Sequence, residues 1–247
     1  MTILLYVLTG FYLIWLASLL KVAYTPQLFS NYTLFKAVNS ILFVAISIIA
    51  WRNSRINLFQ YWPQHWALLA AFCLAAFGDI AIGIANNRYG PGGASHSASG
   101  MAGVGFFSIA HIFYLLFFTQ FCPMQWYHFI LPLLAMLAML RITRHPSFHF
   151  SRRIRPAAVF YYMVVTLMFS VGINCAVTFI TWLPFVSVYR PVNGWALGIG
   201  VTLFLFSDLL MLPLYFYTRR KCPGWVRFVN LTTYYIGQLL LALCIVL

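Results

Sequence analysis

The sequence predicts an all-α polytopic membrane protein with eight transmembrane helices. Three observations lead there. The 247 residues are 63% hydrophobic and only 7% charged, where an ordinary soluble domain carries roughly 25% charged residues. The apolar residues form long unbroken runs and do not alternate with polar ones, which sets aside a β-barrel. The runs also match the need of a helix crossing a hydrocarbon layer of about 30 Å, which takes about 20 residues at about 1.5 Å per residue.

The expected spans are 3–20, 34–51, 64–86, 102–121, 127–141, 157–181, 193–216 and 228–247, all within one domain, 1–247. The first lacks a basic leading segment and a small-residue cleavage site, so it reads as a retained helix and not a signal peptide. The connection from Asn86 to Gly103 is rich in Gly, Ser and Asn and reads as a solvated connector, with His96 exposed on it. The five cysteines, Cys73, Cys122, Cys175, Cys222 and Cys244, stand singly, without the spacing of a disulfide framework or zinc site. A net charge of +13 raises the question of nucleic acid, but the basic residues sit between apolar runs, with no recognition motif among them.

Their distribution is topological. Lys21, Lys36, Arg88, Arg141, Arg144, Arg152, Arg153, Arg155, Arg219, Arg220, Lys221 and Arg227 flank the spans on one side, and Arg52, Arg55 and Arg190 on the other. By the positive-inside rule the first set is cytoplasmic and both termini face outward. The two halves of the chain also echo one another. FGDIAIGI in span three has FSDLLMLP as its counterpart in span seven, and SIAHIFYLL in span four has YIGQLLLAL in span eight. A four-plus-four repeat would place a pseudo-twofold axis along the membrane normal, with a binding site at the repeat interface.

The chain has only two side-chain carboxylates, Asp79 and Asp208, and both fall inside apolar spans. A carboxylate in hydrocarbon is expensive unless it is paired, protonated or facing a wet cavity, so an intramembrane pair points to function. Counting residues places both about 10–13 Å below the cytoplasmic surface. His111 and Gln238 fall at similar depth; Tyr114, Tyr162, Tyr234 and Tyr235 lie in the same half, with Lys36 nearer the interface. These residues outline one polar cavity toward the cytoplasmic leaflet. Each also has an ordinary role available: core histidine, interfacial tyrosine, snorkelling lysine, or glutamine tying helices together.

The sequence resembles the lysoplasmalogenase family of membrane proteins, also called the YhhN family. The resemblance rests on Lys36 opening span two, Gly78-Asp79, Ala110-His111 with Tyr114, Ser207-Asp208, and Tyr234-Tyr235 with Gln238, in order across roughly residues 34–245. Lys36-Ala37 stands where the family usually shows Lys-Pro, and the Gly/Ser segment before span four is long. The resemblance implies hydrolysis of the vinyl ether bond of lysoplasmalogens, without metal or cofactor. Asp79 and Asp208 would then divide acid and base work as two carboxyls do in glycosidases, sharing one proton. His111 would relay it or position water, as Tyr114 also would. Lys36, Tyr114, Tyr162, Ser207, Tyr234, Tyr235 and Gln238 would contact a lysophospholipid, with Lys36 meeting its phosphate. The expected location is a bacterial inner membrane, among membrane lipids and without nucleic acid.

Two other classes use intramembrane aspartates. An intramembrane aspartyl protease resembles YD and GxGD motifs on neighbouring helices, whereas Phe77-Gly78-Asp79 lacks the first glycine and Ser207-Asp208 lies four spans away. A proton-coupled transporter would use Asp and His as a relay. The topology is testable independently of the chemistry. A reporter active only outside the cytoplasm should be active when fused after Leu247 and silent when fused in the 142–156 loop or near Arg220. The reverse pattern inverts the molecule.

Overall fold

The computed structural model describes residues 3–53, 62–90, 97–181, 191–217 and 223–246. Arg55, residues 91–96 of the connector with His96, Arg190, Arg219, Arg220, Lys221, Cys222 and Leu247 lie outside the described residues.

Among the described residues the chain forms eight α-helices: α1 Ile3–Tyr24, α2 Tyr32–Asn53, α3 Trp62–Tyr89, α4 Ala98–Phe118, α5 Ile130–Ile142, α6 Ile154–Thr181, α7 Pro191–Phe216 and α8 Gly224–Leu243. Local signals set their ends. Ser97 caps α4, its hydroxyl accepting from the Gly100 amide at 2.9 Å, which satisfies one of the amides a helix start leaves unpaired. A reciprocal capping box between Gln125 and His128 starts the short 3-10 turn Trp126–Phe129 that leads into α5. Pro26 opens another 3-10 turn, Pro26–Asn31, between α1 and α2, where its missing N–H costs nothing.

Six helices, α1–α4, α6 and α7, are long and apolar enough to cross a membrane by length and composition. The expectation of eight spans is thus met in helix count, while two of the eight differ in kind. The 13 residues of α5 extend only about 20 Å; with its 3-10 lead the apolar segment runs Trp126–Ile142. The 20-residue α8 is long enough, but Arg227, Asn230, Thr232, Thr233 and Gln238 lower its hydropathy. Of these, Gln238 is buried and the others are half-buried.

Burial is the inverse of a soluble protein's. Ile3, Val7, Ile14, Ile41, Leu133, Trp195 and Ile199 are exposed around the outside, while Lys36, Asn39, Ser40, Asp79, His111, Asp208 and Gln238 are buried. Only an apolar solvent makes that distribution favourable, and the protein reads as an integral membrane protein.

Neighbouring helices pack in a closed order: α2 on α3, α3 on α4, α4 on α6, α6 on α7, α7 on α8, and α8 back on α2. Outside this ring α1 lies against α2 and α8, and α5 against α6. Close approach of α6 and α7 depends on Gly194, where a Cβ would lie 2.7 Å from the Ala176 carbonyl and 2.9 Å from the Ile180 amide. Backbone cannot swing aside as a side chain does. Gly194→Ala should therefore destabilise the protein by about 1–3 kcal/mol, the usual cost of overpacking. Gly105→Ala, with nothing within 4 Å of its added methyl, should be neutral or slightly stabilising because alanine favours helix. Thermal unfolding in a single detergent compares the two, and equal melting temperatures would contradict the packing.

Candidate active site

The buried polar residues meet inside the ring of helices. Asp79, fully buried on α3, receives donors from two other helices. Lys36 Nζ lies 2.5 Å from Asp79 Oδ1, and Ser40 Oγ donates to Oδ2 at 2.7 Å. Lys36 and Ser40 are four residues apart on α2 and so share a face. From α8, the Tyr234 hydroxyl donates to Oδ2 at 2.9 Å and the Tyr235 hydroxyl lies 3.4 Å away. A cation and hydroxyl donors are the partners of an ionised carboxylate.

A second layer holds the first. Tyr114 donates to Gln238 Oε1 at 2.7 Å, Gln238 Nε2 donates to the Tyr234 hydroxyl at 3.2 Å, and Tyr234 donates to Asp79. This chain runs from α4 through α8 to α3. Tyr12 of α1 donates to the Tyr235 carbonyl at 2.7 Å and fixes α8 from behind. The glycine of Gly78-Asp79 also has a steric reason, because a Cβ there would lie 2.9 Å from the Phe107 ring. That ring packs edge-on against Tyr234.

Asp208 on α7 has different company. Its backbone carbonyl accepts from the Tyr162 hydroxyl at 2.7 Å, which straps α6 to α7 without touching the carboxylate. Oδ2 lies 3.4 Å from His111 Nε2, and neither atom has a hydrogen-bond partner. The buried Tyr161 hydroxyl is also unpartnered, and the His111 ring stacks edge-on against Tyr161 and Phe204. His111 Nδ1 lies 2.5 Å from the Phe107 carbonyl. A carbonyl only accepts, so Nδ1 carries a hydrogen and the second imidazole nitrogen faces the carboxylate. Two bare acceptors do not face each other in a dry interior. His111 and Asp208 stand as an imidazole and a carboxyl within reach of one another, with the Tyr161 hydroxyl beside them.

Both carboxylates, with Lys36, Ser207, Asn230 and Tyr234, line one cavity of about 30 Å³. That is room for a water or two, far less than a lipid head group. Asn230 Nδ2 donates to the Ser207 carbonyl at 2.7 Å and to its hydroxyl at 3.0 Å, tying α8 to α7 at the cavity wall.

Of the residues expected from sequence, Asp79, Asp208, Lys36, Ser207 and Tyr234 reach the cavity. His111 stands beside Asp208, Tyr235 stands beside Asp79, and Tyr114 and Gln238 support Tyr234. Tyr162 braces backbone. Lys36 is placed differently from the expectation of a head at the interface: it is 5% exposed and engaged by Asp79. A carboxylate within reach holds the amine more strongly than snorkelling would. Ser40, Tyr161 and Asn230 were missed. Their signal was helical spacing: Ser40 is one turn after Lys36, and Asn230 lies two turns before Gln238 on one face of α8.

Comparison with curated proteins and with solved structures returns no match. The YhhN family model matches residues 31–245, spanning the site from Lys36 to Gln238, and the chain belongs to the YhhN family.

Proposed function

We propose that this protein is a membrane hydrolase that cleaves the vinyl ether bond of lysoplasmalogens to a fatty aldehyde and glycerophosphoethanolamine or glycerophosphocholine. The observation that carries the reading is the unequal company of two carboxylates on one cavity: Asp79 has a cation and hydroxyls, and Asp208 an imidazole 3.4 Å away; that this imidazole and Asp208 hold one proton between them is part of the proposal. Membership of the YhhN family is consistent with a lysoplasmalogenase-type membrane protein.

A vinyl ether hydrolyses by protonation of carbon. The proton of the His111–Asp208 unit passes to the β-carbon, the π pair forms the new C–H bond, and the ether oxygen shares the positive charge as an oxocarbenium ion. Asp79 stabilises that cation electrostatically and takes a proton from the cavity water as it adds to the α-carbon. The hemiacetal then collapses: its hydroxyl gives up its proton as the C=O bond of the aldehyde forms, the C–O bond to glycerol breaks, and the glycerol oxygen takes up that proton. One water is consumed, and the proton held at Asp79 returns to the His111–Asp208 unit. The division of labour between the carboxylates follows the environments that separate acid from base in other two-carboxyl enzymes.

The architecture in this reading is a four-plus-four repeat in which α5 and α8 complete eight spans. Its support is the matching of neighbours: α1–α2 with α5–α6, α2–α3 with α6–α7, α3–α4 with α7–α8, and α4–α6 with α8–α2. Asp79 and Asp208 then occupy equivalent places on α3 and α7. The basic flanks put the site toward the cytoplasmic leaflet, both termini outside, and lysophospholipid and membrane lipids are its partners.

Purified protein incubated with a lysoplasmalogen should release aldehyde, and none from the saturated ether, which offers no carbon to protonate. Asp79→Asn and Asp208→Asn should each abolish release. His111→Ala should lower turnover by roughly 10²–10⁴-fold. Cleavage of the saturated ether would overturn the chemistry. Lys36→Met should destabilise the fold by about 3–5 kcal/mol, since it strands a buried charge. Lys36→Met with Asp79→Asn should regain most of that stability in a thermal melt while remaining inactive; no regain would mean that the pair is uncoupled.

A further inference from the structure

Resting on the lysolipid reading, we infer that Arg227 anchors the substrate's phosphate, in a crevice that adjoins the carboxylate cavity. The first step is electrostatic elimination. Lys36 is engaged by Asp79, so it offers no free charge to a phosphate. The chain has two side-chain carboxylates, and both are held in the core. Arg227, in the first turn of α8, therefore has no acidic side chain left to pair with. Its guanidinium makes one long hydrogen bond, 3.4 Å from Nη1 to the Ala23 carbonyl, which leaves most of its five N–H donors uncommitted.

The second step is location. Arg227, Tyr32, Asn86, Tyr215 and Asn230 line a narrow crevice of about 10 Å³. Tyr32, Tyr215 and Asn230 line the carboxylate cavity as well, so the two spaces share a wall. In a lysoplasmalogen the phosphate and the vinyl ether lie at opposite ends of one glycerol unit. A phosphate on Arg227 leaves the glycerol to cross that wall, with the vinyl ether beyond it beside the carboxylates.

A third feature is independent of charge. Asn86 is 4% exposed; its Nδ2 donates to the Tyr215 hydroxyl at 3.1 Å, while Oδ1 is buried without a partner. A buried acceptor left unpaired carries its full desolvation penalty and is a feature to be explained. The free hydroxyl that distinguishes a lysolipid lies beside its phosphate and is a donor. Acylation removes that donor. Asn86 lines the crevice and its partner Tyr215 stands in the shared wall, so the crevice must open as the glycerol passes. The ligand class is a glycerol phosphodiester with a free neighbouring hydroxyl.

Binding of the inert saturated-ether lysophospholipid to detergent-solubilised protein separates this assignment from the chemistry. Arg227→Gln should weaken binding roughly 10- to 100-fold, the loss for hydrogen bonds to a charged group. Arg227→Lys, which keeps the charge without the planar fork, should fall between. Arg153→Gln, an exposed arginine outside the crevice, should bind as the unaltered protein does. The phosphate-free alkylglycerol should bind equally to the unaltered and Arg227→Gln proteins. Inorganic phosphate should compete only weakly; if it displaces the lysolipid fully at equal concentration, the site serves free phosphate and the lipid assignment falls. Equal lysophospholipid affinity in the unaltered and Arg227→Gln proteins would overturn the anchor. If the binding pattern holds but no aldehyde forms from lysoplasmalogen, the anchor stands and the hydrolase reading fails.

Discussion

The ion pair between Lys36 and Asp79 is the interaction on which the interior depends. An ionised carboxylate carries a desolvation cost of several kcal/mol even after relaxation, and Asp79 is fully buried. The ammonium and the hydroxyls of Ser40 and Tyr234 offset that cost together. The donors come from α2 and α8 and the acceptor from α3, so satisfying one carboxylate fixes three helices. Tyr114 and Gln238 extend the restraint to α4. In a bilayer the hydrophobic effect does little to bring helices together. The polar network and close packing at small residues such as Gly194 therefore carry more of the specificity than in a soluble bundle.

Placing the second carboxylate without a cation has the opposite consequence. Asp208 has an imidazole as its charged-form partner, at 3.4 Å and without a completed hydrogen bond. Adding a second lysine would have produced two salt bridges and no transferable proton. The neighbouring orphan hydroxyl of Tyr161 fits a site left incomplete, as functional sites commonly are. The proposed mechanism puts the mobile proton on the His111–Asp208 unit, in place of one shared by the two carboxylates. Each has its own partner, and the asymmetry lies in what that partner can give up.

Much of this was legible in the sequence for a simple reason. A chain with two acidic side chains, both within apolar runs, advertises them, and hydropathy marks helices because backbone in lipid must bond internally. The ends of α2, α3, α6 and α7 fall within a few residues of those expected. What hydropathy does not encode is direction. Lys36 lies close to a span end, and only the rotation of α2 decides whether its amine reaches head groups or Asp79. The role of Tyr162 was equally hidden: adjacent Tyr161 and Tyr162 point to different partners, one beside His111 and one on the Asp208 backbone. Among 15 tyrosines, identity alone could not sort them. The polar face of α8 lowers the hydropathy of that helix, and its Asn230 and Tyr234 line the cavity.

Charge composition and site placement are linked by the same scarcity. With both acids held in the core, the cations outside the site have no acidic side chain to neutralise them, and on the proposed eight-span topology most flank one side of the helices. Within a Debye length of about 8 Å in physiological salt, such a face gathers anionic lipid head groups. A carboxylate cavity opening directly onto it would repel the phosphate that the surface attracts. Lys36 eases that conflict by offsetting the Asp79 charge from inside, and in the proposed mechanism a proton between His111 and Asp208 would leave that unit with at most a buried dipole. An anion entering by the proposed route would then meet Arg227 first and the acid pair only past the wall of Tyr32, Tyr215 and Asn230. In the proposed lysolipid reading, internal pairing of the acids is what would allow a site built on two carboxylates to accept a negatively charged lipid.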